Sequence, residues 1–189
     1  MGPDDLVFTR SLYEGEYRYD LRKWIVKKEF DRDVDKFITL VFPTKAGQSI
    51  RPPQLAKFLE QLDDITKAVQ EAKKDKHYEA RFSLGGGLMF TVSSKPYYKA
   101  QFRRWYLPKL VYKNRIDTRN IDGYQDDLRP SHDGAVFSLW SFDKFRQIAQ
   151  EAIEKYGNEK CQCEDSSICS FCSPFTWEIQ IAKNRYPYE

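Results

Sequence analysis

At 189 residues the chain can form one ordinary domain or two small ones, and with 41% apolar and 15% aromatic residues it has a core to bury, which excludes a wholly disordered chain. No apolar run approaches the ~18 residues of a spanning helix, and the opening MGPDDLVF has no charged-then-apolar leader. The expectation is therefore an intracellular protein without membrane contact, nuclear if eukaryotic or from a virus of a eukaryotic host. The formal charge of +3, from 31 basic and 28 acidic residues, points to no partner by its sum, so its distribution has to be followed along the chain.

The first strand pattern is LVFTRSL (6–12), with a turn signal at Glu14-Gly15, followed by EYRYDLRKWIV (16–26) and KFITLVF (36–42). A helix is expected from Pro52 through PPQLAKFLEQLDDITKAVQEAKKD. The paired prolines suit a first turn, and Leu55, Phe58, Leu59, Leu62, Ile65 and Val69 recur on one face. The charged run AKKDKHYE, around 72–79, reads as a boundary. Strand patterns then resume with YEARFSL (78–84), LMFTVSS (88–94), YYKAQFRRWYL (97–107) and AVFSLW (135–140), with turn signals at Gly85–Gly87 and Asp122-Gly123. A second helix is expected from Ser141 to Gly157, with Ser141 as N-cap, Gly157 as stop and a Trp140–Phe145 hydrophobic staple. In the tail, PFTWEIQIAKNRYPYE alternates Phe175, Trp177, Ile179 and Ile181, the pattern of a strand with one buried face.

Strands followed by a helix, twice over, read as an α+β fold made of two repeated units, each a curved antiparallel sheet followed by one helix. The residues support the repeat. Arg22-Lys23-Trp24 and Pro43-Thr44-Lys45-Ala46-Gly47 precede the first helix, and Arg103-Arg104-Trp105 and Pro130-Ser131-His132-Asp133-Gly134 precede the second. The expected organisation is a first unit over 1–75, a second over 76–158, and a cysteine-rich tail with a terminal strand over 159–189.

Charge concentrates in the second unit. Residues 95–120 hold eight basic residues, Lys95, Lys99, Arg103, Arg104, Lys109, Lys113, Arg115 and Arg119, against Asp117 alone, so the segment is +7 and the rest of the chain −4. Tyr97, Tyr98, Phe102, Trp105, Tyr106 and Tyr112 are woven through it. Cations neutralise phosphates and flat rings stack on unpaired bases, so this mixture suits single-stranded nucleic acid. A half-buried strand with a solvated basic face gives the same pattern, and both readings stand at this point.

Asp20-Leu21-Arg22-Lys23-Trp24, then Pro43 to Gly47, then Pro53-Gln54 and Gln61-Leu62-Asp63-Asp64-Ile65 leading to Ala68-Val69, come in an order that resembles the positive cofactor four family of single-stranded-DNA-binding transcriptional coactivators. The second unit matches through Arg103-Arg104-Trp105, Leu128-Arg129-Pro130, Gly134 and Phe137-Ser138-Leu139. Whirly and Pur-type proteins share the fold style. The resemblance implies two units paired through their helices, normally from two chains and here as an intramolecular pseudo-dimer, monomeric or further dimerised. It also implies strand contacts by Tyr13, Trp24 and Lys45 in the first unit. In the second it implies Lys95, Arg103, Arg104 and Trp105, with His132 near the place of the lysine. Tyr97, Lys99, Lys109, Lys113 and Arg115 join them from the basic segment. Glu14 and Glu16 stand where the family is basic, and the second unit carries the insertion LVYKNRIDTRNIDGYQDD, so the second unit is expected to carry more of the binding.

All four cysteines fall within twelve residues as Cys161-x-Cys163-x5-Cys169-x2-Cys172, a spacing that suits a structural zinc site, with two disulfides or free thiols as the alternatives. Catalytic chemistry is thin. His132-Asp133-Gly134 reads as a turn, Asp122, Asp126 and Asp127 as a solvated acidic loop rather than a Mg²⁺ site, and Gly85–Gly87 as a hairpin turn without the lysine of a phosphate loop. The expected protein is thus not an enzyme but a single-stranded DNA binder of transcription, replication or repair. RNA is an alternative ligand, and polymerase or transcription machinery a candidate partner. The alternative function is a protein-interaction module of such a complex.

Overall fold

The computed structural model describes residues 6–106, 129–157 and Glu164. Its order is β1 (Leu6–Tyr13), β2 (Glu16–Asp31), β3 (Lys36–Ile50), α1 (Pro52–Glu60), α2 (Leu62–Lys74), β4 (Glu79–Gly85), β5 (Leu88–Ser93), β6 (Lys99–Tyr106), β7 (Arg129–Ser138), a 3-10 turn (Leu139–Ser141) and α3 (Phe142–Tyr156). The chain is α+β, with two antiparallel sheets in the orders β1-β2-β3 and β4-β5-β6-β7. No described helix is long and apolar enough to cross a membrane.

The first turn forms at Glu14-Gly15, both at positive φ, a conformation that matches the twist of a tight hairpin. β2 and β3 run well past their expected ends. Among the described residues, β1 pairs with β2 as far as Leu6 opposite Lys23. From Trp24 to Pro43, among the described residues, β2 and β3 pair only with each other, as a ribbon closed by a turn in which Asp31 Oδ1 accepts from the Asp33 amide at 2.9 Å.

Both Pro-x-x-x-Gly segments, including the expected turn at His132-Asp133-Gly134, lie inside continuous strands. In the first sheet the register moves from Arg22–Gly47 to Trp24–Pro43, so Thr44, Lys45 and Ala46 stand against Lys23 alone. In the second it moves from Arg103–Gly134 to Trp105–Pro130, so residues 131–133 stand against Arg104 alone. Both shifts are β-bulges of one size. Glycine is required opposite the arginine in the first. A Cβ on Gly47 would lie 2.5 Å from the Leu21 carbonyl oxygen and 2.7 Å from Arg22 Cα.

The first expected helix is two, interrupted at Gln61, whose side-chain amide donates to the Ser83 carbonyl at 3.0 Å as well as to that of Lys57 at 3.2 Å. The second begins at Phe142 as expected, with a 3-10 turn before it. Ser138, not Ser141, makes the side-chain cap, accepting from the Trp140 amide at 3.3 Å. The Trp140–Phe145 staple does not form. Trp140 is exposed and meets Tyr98 edge-on at 5.4 Å, while Phe145 turns into the core.

That core is shared. Phe58 of α1 packs on Phe90 and Phe102 of the second sheet, at 5.1 and 5.5 Å between ring centres, and on Phe145 of α3 at 5.5 Å. Phe145 in turn meets Phe8 of β1 at 5.8 Å. Tyr19, Leu21, Ile50, Ile65, Leu84, Val92 and Phe137 complete one continuous cluster from both halves of the chain. Residues 6–75 and 76–157 therefore bury their apolar surface together.

Candidate nucleic-acid interface

Alternation along β2 sorts its side chains. Tyr19 and Leu21 point into the core, so Arg18, Asp20, Arg22, Trp24, Val26, Lys28 and Phe30 share the opposite, outward side. Cross-strand partners share a face, which adds Pro43, Val41, Thr39 and Phe37 of β3. Among these outward positions of β2, from Arg18 to Phe30, Asp20 is the only acid. It accepts from Arg22 Nε at 3.2 Å, from Ser11 Oγ at 3.2 Å and from Ser49 Oγ, and Arg22 also reaches Ser49 Oγ at 3.2 Å. The rings beyond it are open. Phe37 is 74% and Phe30 49% exposed, the pair meeting edge-on at 5.2 Å. Tyr13, 54% exposed, lies under the Arg18 guanidinium at 4.8 Å. Exposed phenylalanines and valines around Lys28, with Arg18 and Arg22 further along the same side, make a surface fit to stack and neutralise an extended polyanion.

The expected residues divide. Tyr13 and the half-buried Trp24 lie on this first face, and Lys45 is exposed on the first bulge. Lys95 and Tyr97 (74% exposed) stand in the β5–β6 connection, and Lys99 is half-buried at the start of β6. Arg103 is engaged internally. Its Nη1 donates to the carbonyls of Ser131 and His132, both at 2.6 Å, and its Nε to Gln101 Oε1 at 3.2 Å, so it pins the second bulge. Trp105, expected to stack a base, is only 5% exposed, and the Arg81 guanidinium lies 4.4 Å from its ring centre. In this conformation the ring is a packing element. Lys109, Lys113, Arg115 and the proposed zinc ligands Cys161, Cys163, Cys169 and Cys172 lie outside the described residues.

Arg104 stands alone in the second bulge, half-buried, with Nη1 donating to the Gly86 carbonyl at 2.8 Å. Burial first, and then the positive charges of Arg51 and Arg18, hold its guanidinium below its ordinary value.

Sequence reasoning did not single out Phe30, Phe37, Lys28 or Arg18. The alternation Trp24-x-Val26-x-Lys28-x-Phe30, continued past the expected strand end, was the available signal. No family model, curated protein or solved structure matches the chain.

Proposed function

We propose that the protein binds single-stranded nucleic acid, DNA foremost, by phosphate neutralisation and ring stacking and without chemistry, and that its two sheet–helix units are an intramolecular repeat. The observation that carries the binding reading is the outward face of the β2–β3 ribbon, where Phe30 and Phe37 stand open beside Lys28 with Trp24, Arg22 and Arg18 along the same side. Rings on such a face take any base, because every base offers a flat surface. The repeat reading is supported by the two equal bulges, each with tryptophan opposite proline and arginine opposite glycine. In each, the arginine Nε donates at 3.2 Å to the side chain two residues before it, Asp20 or Gln101.

The test is a salt-dependent titration of the full chain against a single-stranded DNA 20-mer, the matching RNA and the duplex. Log affinity for the single strand falls by about 0.7 per phosphate contacted against log salt. Phe37→Ala, at so exposed a position, leaves the fold intact and weakens binding by about 1–3 kcal/mol. Absence of single-strand binding at low salt ends the proposal, and a defined complex with transcription or replication proteins in its place favours the interaction-module reading. Structural zinc on Cys161, Cys163, Cys169 and Cys172 belongs to the same proposal. Elemental analysis finding much less than one zinc per chain removes it.

A further inference from the structure

Three arginines from three elements meet where the two sheets adjoin. The β2–β3 ladder ends with Tyr19 opposite Ile50, and Arg18 and Arg51 are the residues that adjoin this last pair along the chain. Arg51 is also the N-cap of α1. Its amide donates to Gln54 Oε1 at 2.9 Å, and the Gln54 side-chain amide, fully buried, donates to the Gly85 carbonyl at 2.8 Å. Arg104 bonds the next carbonyl, that of Gly86. A single glycine turn therefore ties the start of α1 to the second bulge and brings Arg104 within electrostatic reach of Arg51 and Arg18.

Like charges held within reach of one another repel, and burial of one of them adds to the cost. Neither Arg18 nor Arg104 forms an ion pair among the described residues. Arg18 Nε is buried without a hydrogen-bond partner, although its guanidinium lies on the Tyr13 ring. An arrangement of this kind has a ready counterpart in a multivalent oxyanion, for which the planar guanidinium forks are suited.

We propose that Arg18, Arg51 and Arg104 form a phosphate-binding site at the junction of the two sheets. The shared chemistry is a phosphate group. Its source is a phosphodiester of a bound single strand, which rests on the function proposed above, or a free phosphate, which does not. In the first case Tyr13, beside Arg18, meets the neighbouring base.

Two arms separate these sources, using the full chain, Arg18→Gln and Arg104→Lys. In the first arm, binding of a single-stranded DNA 20-mer is followed against salt. With a phosphodiester in the site, Arg18→Gln lowers the slope of log affinity on log salt by about 0.7, and Arg104→Lys keeps the slope. In the second arm, melting is followed in inorganic phosphate against chloride at equal ionic strength. With a free phosphate in the site, phosphate raises the wild-type melting temperature and Arg18→Gln removes the rise. In ligand-free chloride buffer Arg18→Gln melts at or above wild type, because repulsion is relieved; a merely structural Arg18 would instead lower it. The site is refuted if Arg18→Gln melts below wild type in chloride, or if it leaves both the strand slope and the phosphate response unchanged. Failure of the wild type to bind the strand refutes the proposed function, while the melting arm still decides the site.

Discussion

Gly47 and Gly134 occupy equivalent positions opposite Arg22 and Arg103, yet the same substitution meets different obstacles at the two. A Cβ on Gly47 would sit 2.5 Å from both Arg22 Cγ and the Leu21 carbonyl oxygen and 2.7 Å from Arg22 Cα. Comfortable separation for such atoms is about 3.5 Å, so roughly 1 Å must be found, and two of the three obstacles are backbone held in the ladder. Overpacking costs about 1–3 kcal/mol, and Gly47→Ala belongs at the upper end. For a domain of this size each kcal/mol moves the melting temperature by about 2–4 °C, so the expected fall is roughly 6–12 °C. At Gly134 the obstacles are Arg103 Cζ and the Phe102 carbonyl oxygen at 2.9 Å and Arg103 Nε at 3.0 Å. The guanidinium can swing aside, surrendering its bonds to Ser131 and His132, so Gly134→Ala costs about 1–2 kcal/mol. Calorimetric melting of both variants beside the wild type gives the ordering. A Gly47→Ala protein melting with the wild type, or a larger loss at Gly134, refutes the close-approach account of the bulges.

Phe58→Ala, which removes a ring touching the second sheet and α3, lowers stability by about 3–5 kcal/mol and shifts one cooperative transition; two separable transitions in denaturant would contradict a shared core. Trp105→Ala lowers stability by a similar 3–5 kcal/mol, whereas Arg81→Ala, which removes the exposed cation above the ring and its surface pair with Glu79, lowers it by about 0.5–1 kcal/mol; an unchanged urea midpoint for Trp105→Ala would return that ring to the surface.

The elements were legible because their periods were. The first-sheet strands, the four of the second sheet and the apolar stripes of the helices follow from alternation and from 3.6-residue spacing. What escaped was set by partners distant in sequence. Gln61 sits in an uninterrupted helical pattern, yet the helix is interrupted there, where its side chain bonds the Ser83 carbonyl on β4. Pro43 to Gly47 has the composition of a turn. It stays in a strand because both its ends remain paired to β2, with the three residues between absorbed as a bulge. Trp140 and Phe145 have staple spacing, but Phe145 finds Phe58, Phe102 and Phe137 instead. The Arg18–Arg51–Arg104 meeting is of the same kind: a strand interior, a helix cap and a bulge, joined only by the fold.

The charge distribution pointed to the second unit as the heavier binder, since the +7 segment begins there. Among the described residues that reasoning loses part of its footing. Arg103 holds bulge carbonyls and Trp105 is enclosed under Arg81, so two of the residues counted for binding already serve the fold. The first unit, nearly balanced in charge, keeps unneutralised cations on its outward face. Asp20 is bound by Arg22 and two serines, while Arg18, Lys28 and the open rings remain on the outward side. Net charge summed over a segment counts an arginine that pins a bulge the same as one free to meet a phosphate, whereas affinity depends on the second kind alone. For the proposed function this moves the expected point of contact toward the β2–β3 ribbon. It makes Phe37, rather than Trp105, the ring whose removal separates binding from stability.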